Sequence, residues 1–294
     1  MYRAELLKLR TTRAPWVVAL VAVAGMVLTQ TLTIALPRTL RLLDELDATQ
    51  TGGGTGLAGG AMPDLAALTD LGAAPAQRGL LDLLGNGPGG SGSTGVTALC
   101  MLLLGTLAAT TDFRTGGIVP TALVIPSRVR ILAGKAGATA TVAVVTGVAL
   151  AVVTALGLVV AVATTPGARL ALGAGEALGV WGRGLVVMVL LAWLGLAVGT
   201  LVRGQVAAVV VVVALALVEP MVQAATLVLT GGAATITSWM PLTLASLASV
   251  GRGTAELFGG SSPMGAATAL AGLLVWAAVL LGAAGFVFRR RDLA

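Results

Sequence analysis

Asp112, Arg114, Arg128, Arg130 and Lys135 fall within 24 residues of a chain in which only 10% of residues are charged. Two long apolar runs flank them, so they form a polar island. Guanidinium, ammonium and carboxylate groups at this density can grip a soluble partner through charge-assisted hydrogen bonds. They can also simply fix topology, because Lys and Arg accumulate in short cytoplasmic loops. Both readings place the island on the cytoplasmic side. The other residue of chemical interest is Glu219, the one carboxylate well inside an apolar run. An ionisable side chain there is costly and is by default a functional candidate. It reads either as part of a translocation or proton pathway or as a structural polar contact at a kink. Pro220 follows it and loosens the helix locally, which helps the carboxyl reach a partner.

Much chemistry is excluded. The chain has no histidine and one cysteine, Cys100, inside an apolar run. Histidine-based metal sites and Ser-His or Cys-His nucleophiles therefore drop out, and no catalytic or metal-ligating residue is assigned. Gly134-Lys135 is followed by Ala136, and Val129 stands where a phosphate loop needs its first glycine, so G-x-x-x-x-G-K-[ST] is missing. G-x-G-x-x-G occurs at Gly54/Gly56/Gly59 and Gly85/Gly87/Gly90, but neither follows a credible strand, and both read as chance in a glycine-rich loop. The net charge of +6 does not point to nucleic acid, since the basic residues sit at the ends of apolar runs. Sixteen of the 18 basic residues are arginine and Ala, Gly and Val abound, a composition that fits a GC-rich bacterial genome.

The elements that must position these residues are membrane spans. The chain is 57% hydrophobic with a mean hydropathy of +0.99. Several of its apolar runs reach the roughly 20 residues needed to cross a bilayer core. Glycine is abundant (41 residues) and aromatics make up 3%, which suits helices that meet through small residues. The expected fold is all-α and polytopic, a single transmembrane domain over 1–294 with six spans. Residues 1–14 form a basic amphipathic lead-in that includes Glu5, Lys8 and Arg10. Span one is Trp16–Leu36, ended by Pro37. It is longer than the hydrophobic core of a signal peptide and reads as a retained anchor. Residues 37–94, rich in Gly, Ser and Pro, read as a flexible outer loop. Spans two to six are expected near 95–111, 136–163, 178–202, 206–230 and 265–288. Span four carries Gly195-x-x-x-Gly199, a spacing for close helix contact. Residues 231–264 read as a second outer loop. Within it a short interfacial helix around 239–247 is capped by Thr237 or Ser238.

Twelve basic residues fall on the segments assigned inside and six on those assigned outside. That asymmetry places both termini in the cytoplasm. Within the island, Gly116 and Gly117 interrupt the helix leaving span two, and Pro120 and Pro126 punctuate the path. A short helix is expected around Thr121–Val124, then a new helix from near Pro126 into span three. That helix would carry Arg128 and Lys135 on one face. No internal repeat is evident, which disfavours an inverted-repeat secondary transporter.

The island, Thr111-Asp112-Phe113-Arg114-Thr115-Gly116 through Pro126-Ser127-Arg128 to Gly134-Lys135, resembles the loop after the second span in permeases of type-2 ATP-binding-cassette exporters. Glu5-Leu6-Leu7-Lys8-Leu9-Arg10 is similar to the N-terminal elbow helix of that family. Glu219-Pro220 and Met240-Pro241-Leu242 also look like recurrent features of it. The resemblance implies a coupling loop over 112–135. Asp112, Arg114, Thr115, Thr121, Ala122, Leu123, Val124, Pro126, Arg128 and Lys135 would then engage a separate ATPase subunit. It further implies ATP and Mg on that partner and none on this chain. A second permease copy or paralogue, a plasma-membrane location and a substrate leaving the cytoplasm also follow. The long glycine-rich first outer loop departs from the family pattern. Two readings compete with the exporter: a proton-coupled secondary transporter using Glu219, and a non-transporting membrane scaffold.

Overall fold

The computed structural model describes residues 1–51, 70–87, 95–114, 127–230, 236–251 and 264–290, all helix, turn or coil with no strand among them. The helices are α1 (Tyr2–Thr11), α2 (Arg13–Thr51), α3 (Ala74–Leu80), α4 (Val96–Arg114) and α5 (Arg128–Thr164). After them come α6 (Ala174–Val202), α7 (Gln205–Thr230), a 3-10 turn (Ile236–Trp239), α8 (Pro241–Val250) and α9 (Ala266–Arg290). Six stretches are long and apolar enough to cross a membrane: Arg13–Thr39, Val96–Arg114, Val129–Thr164, Ala174–Val202, Gln205–Thr226 and Ala266–Phe288. The protein is an all-α polytopic membrane protein. The 36-residue span of α5 would be about 54 Å long at 1.5 Å per residue, so it must tilt or project beyond a ~30 Å core.

Small residues decide the centre of the bundle. Spans α4 and α6 are each 61% buried, against 22–33% for the other four, so they form the inner pair. They touch backbone to backbone. A Cβ on Gly105 would lie 1.8 Å from the Ala192 carbonyl oxygen, and one on Gly195 1.9 Å from that of Leu102. The Thr106 hydroxyl lies at this contact, donating to Leu102 O at 2.8 Å and Gly195 O at 3.1 Å. The Gly195/Gly199 spacing therefore does what its sequence suggests. Helices α2 and α7 pack on α4, while α5 and α9 pack on α6. Indole donors fasten α5 to α6, from Trp193 to Ala136 O (2.9 Å) and from Trp181 to Thr154 Oγ1 (3.1 Å).

Three sequence expectations need correction. Pro37 does not end the helix of the first span: the apolar stretch closes at Thr39, but α2 continues to Thr51. Proline removes only the bond to the Thr33 carbonyl, and the leucines and arginines beyond it favour helix. Arg38 then ties that turn to Thr164 O at 3.0 Å. Second, the 37–94 loop is not loop throughout. Residues 70–87 turn into the bundle, with Leu80, Leu81, Leu83 and Leu84 at most 1% exposed. Irregular backbone of this kind is tolerated when protein surrounds it, and here side chains satisfy it. Gln30 donates to Leu80 O (2.6 Å), and Gln77 donates to Leu71 O (3.2 Å) and Arg169 O (2.8 Å). Gly85 and Gly87 take positive φ (70° and 79°) to turn the chain back. Residues 52–69 and 88–94 lie outside the described region. Third, the short helix after span five is buried rather than interfacial: every residue from Leu242 to Val250 is buried in α8. Its sequence is apolar or small on all sides, which suits a core helix rather than an amphipathic one. Neither Thr237 nor Ser238 caps it, since Met240 is its N-cap residue.

Candidate functional site

The end of the bundle that carries α1 gathers the charged residues. Helix α1 seats on α5 at a glycine notch. A Cβ on Gly134 would meet Met1 Cγ at 2.8 Å, and one on Gly137 would meet Tyr2 Cδ2 at 3.2 Å. The Tyr2 hydroxyl bonds Thr141 Oγ1 at 2.7 Å. On the buried face of α1, Glu5 and Lys8 lie three residues apart, one turn, and point the same way. They meet Asp112 from the last turn of α4 and Lys135 from the second turn of α5. The Lys135 ammonium ion-pairs with Asp112 Oδ2, lies 3.3 Å from Glu5 Oε2, and donates to Ala108 O at 3.2 Å. Lys8 ion-pairs with the other oxygen, Asp112 Oδ1. Lys135, Glu5 and Asp112 side chains are 3–9% exposed, whereas that of Lys8 is 42% exposed. Burial lowers the pKa of Lys8, the neighbouring Lys135 ammonium lowers it further, and the Glu5 carboxylate opposes both. Two cations balance two anions, so the cluster is a neutral ionic joint among α1, α4 and α5.

Successive residues on a helix diverge by about 100°, and the end of α4 uses this. Asp112 turns to α1 and α5. Phe113 turns to α9, where it meets Phe288 edge-on (centroids 6.3 Å apart), and Arg203 lies 5.7 Å above its ring. Arg114 turns to α7 and donates to Gln205 Oε1 at 3.2 Å. Arg203 itself closes the tight α6–α7 connection in a left-handed conformation (φ 60°), its N–H donating to Gly199 O at 3.1 Å. Three adjacent residues thus tie α4 to four other helices and to the α6–α7 connection.

This geometry changes the roles expected for two island residues. Asp112 and Lys135 are buried against α1 and not displayed to solvent. Arg128 opens α5 as expected. Thr115, Thr121, Ala122, Leu123, Val124 and Pro126, and with them the expected short helix, lie outside the described residues. Arg10 is exposed at the far end of α1. The sequence did not reveal that Glu5 and Lys8 are the partners of Asp112 and Lys135. A usable signal existed, because ionisable groups at the edges of apolar spans need partners and α1 offers both signs one turn apart.

The opposite end has two more buried carboxylates. Glu219, in α7 beside Pro220, caps α8 from outside that helix. Its oxygens accept from Leu242 N (3.1 Å), Thr243 N (2.6 Å) and Thr243 Oγ1 (2.8 Å). Met240 cannot cap and Pro241 has no N–H, so Leu242 and Thr243 carry the first donors that need acceptors. Helix α7 runs through Pro220 without a break. Asp82 accepts from Leu84 N (3.2 Å), Asn86 Nδ2 (2.8 Å) and Ser249 Oγ (2.6 Å), joining the 70–87 segment to the last turn of α8. Burial raises the pKa of Asp82, and these hydrogen bonds oppose the rise. Among the described residues no group of three His, Cys, Asp or Glu is placed to hold a metal ion. Compared with known proteins, the chain matches no family model and no curated sequence.

Proposed function

We propose that this chain is the membrane-spanning permease subunit of a type-2 ATP-binding-cassette exporter. It moves a substrate out of the cytoplasm across the plasma membrane. Both termini face the cytoplasm. A separate ATPase subunit binds ATP and Mg and supplies the energy, and two permeases act with two ATPases. The observation that carries this reading is the ionic joint. Asp112 and Lys135 stand at the ends of α4 and α5, the two helices that bracket residues 115–126, and α1 is locked to both. Force applied to the 115–126 segment by a soluble partner would reach two spans and the elbow helix together. Glu219 supports the proton-coupled alternative poorly, because three donors of α8 occupy its carboxylate.

The test is co-expression with a candidate ATPase, followed by co-purification and hydrolysis in proteoliposomes. Arg114→Ala with Arg128→Ala should leave insertion and orientation intact, while ATPase association or substrate-stimulated hydrolysis falls. Unchanged association and hydrolysis in that double variant would leave the island as a topology signal and remove the coupling role.

A further inference from the structure

Beside the ionic joint, α1, the start of α2 and the middle of α5 enclose a lateral groove of about 800 Å³. Its walls are Leu6 and Leu9 of α1, Trp16 and Leu20 of α2, and Val142 and Val145 of α5, with Arg10 at one end. The α2 wall extends from Pro15 to Val23 and the α5 wall from Thr141 to Ala149. Nine helical residues rise roughly 12 Å, close to the depth of one leaflet of a ~30 Å core. The length of the groove thus matches the acyl region of a single leaflet. The Thr141 hydroxyl is already engaged with Tyr2 and Gly137 O.

The charge lies at one end only. Arg3 and Arg10 are exposed, seven residues apart on α1 and so on one face, and exposed Arg13 begins α2 two residues before the groove wall. Among the described residues no carboxylate forms an ion pair with any of the three. Guanidinium groups match phosphate through paired N–H donors, and clustered basic residues at a membrane surface attract anionic headgroups. The indole N–H of Trp16 donates to Arg10 O at 2.9 Å and fixes the corner between the charged rim and the apolar wall.

We infer that this groove is a binding site for one anionic phospholipid of the leaflet at the α1 end, with an acyl chain between α2 and α5 and its phosphate at Arg10. The site needs only that the protein is embedded in a bilayer, so it stands independently of the exporter reading.

The experiment measures retained lipid. The full chain is purified in mild detergent from membranes and exchanged against mixed micelles of phosphatidylglycerol and phosphatidylcholine. Bound lipid per protein is then read by native mass spectrometry. Wild type should retain phosphatidylglycerol in preference to phosphatidylcholine. Arg10→Glu, an exposed change, should reduce that preference about tenfold by reversing one rim charge. Val145→Trp, at a position 65% exposed in the groove, should reduce occupancy by both lipids while leaving the melting temperature near that of wild type. Equal retention of the two lipids by wild type would make the groove ordinary bilayer contact and overturn the proposal. So would unchanged retention in both variants. A shift from dimer to monomer in Val145→Trp with no loss of lipid would assign the groove to a second copy of the chain instead.

Discussion

Replacing Glu219 tests whether a carboxylate inside a span is there for stability. In the folded protein it accepts two backbone N–H donors and one hydroxyl from the first turn of α8, and it is 3% exposed. Glu219→Ala leaves the Leu242 and Thr243 amides facing a site without water. Each orphaned buried donor costs about 1–3 kcal/mol, so the expected loss is roughly 2–5 kcal/mol. Glu219→Gln keeps one carbonyl acceptor but turns an NH2 group toward the other donor, and a loss of about 1–3 kcal/mol follows. The predicted order of stability is wild type, Gln, Ala. Thermal unfolding in detergent micelles would show it, with tryptophan fluorescence as the local probe. The Trp276 indole donates to Trp239 O at 3.0 Å, next to the start of α8. A shift of roughly 2–4 °C accompanies each kcal/mol in larger chains. An alanine variant that melts with wild type would refute the capping role. A Gln variant of full stability that has lost gradient-driven transport would return Glu219 to a proton pathway.

Three further outcomes follow from the geometry. Gly105→Val or Gly195→Val should abolish recovery of folded protein, because a Cβ at either position would stand within 2 Å of a facing carbonyl oxygen; Gly282→Ala, with open space around it, is the silent control, and monodisperse yield by size-exclusion chromatography reports the difference. Asp112→Asn should destabilise by about 3–5 kcal/mol by leaving buried ammonium charge uncompensated, and the double change Asp112→Asn with Lys135→Met should cost less than the sum of the two, as a double-mutant cycle would show. Asp82 has a raised pKa, so the stability it contributes is full below its unfolded pKa and is lost as pH rises through its folded pKa; the melting temperature should therefore fall across that window in wild type and stay flatter in Asp82→Asn.

The spans were legible because length and hydropathy leave little freedom: a bilayer demands about 20 apolar residues and satisfied backbone, and only helices meet both conditions here. The Gly195/Gly199 contact was legible for a related reason, since a missing side chain at a fixed spacing has few other uses. What escaped was every pairing between distant positions. Nothing local to Glu219 says that Leu242 and Thr243 are its donors, and the paired signs of Glu5 and Lys8 call for ionic partners without saying that Lys135, 130 residues away, is one of them. Polar composition misled over residues 37–94. The Leu80-Leu81-Asp82-Leu83-Leu84 run was the one sign that part of it belongs in the core. Residues 241–250 carried a clearer sign, because a helix without a charged residue on any side has no face to offer water.

The bond from Ser249 to Asp82 joins positions 167 residues apart. At 5–20 residues per second, roughly ten to thirty seconds of synthesis separate the two. During that interval the 70–87 segment can meet α2, already made, and α5 and α6 as they arrive, but it lacks the hydroxyl donor that α8 brings. Helix α8 is thus a closing piece for that end of the bundle. Until it is made, Asp82 must be held by Leu84 and Asn86 alone. Order of synthesis thus separates the two partners: a segment built around the third helix is completed by the helix made next to last.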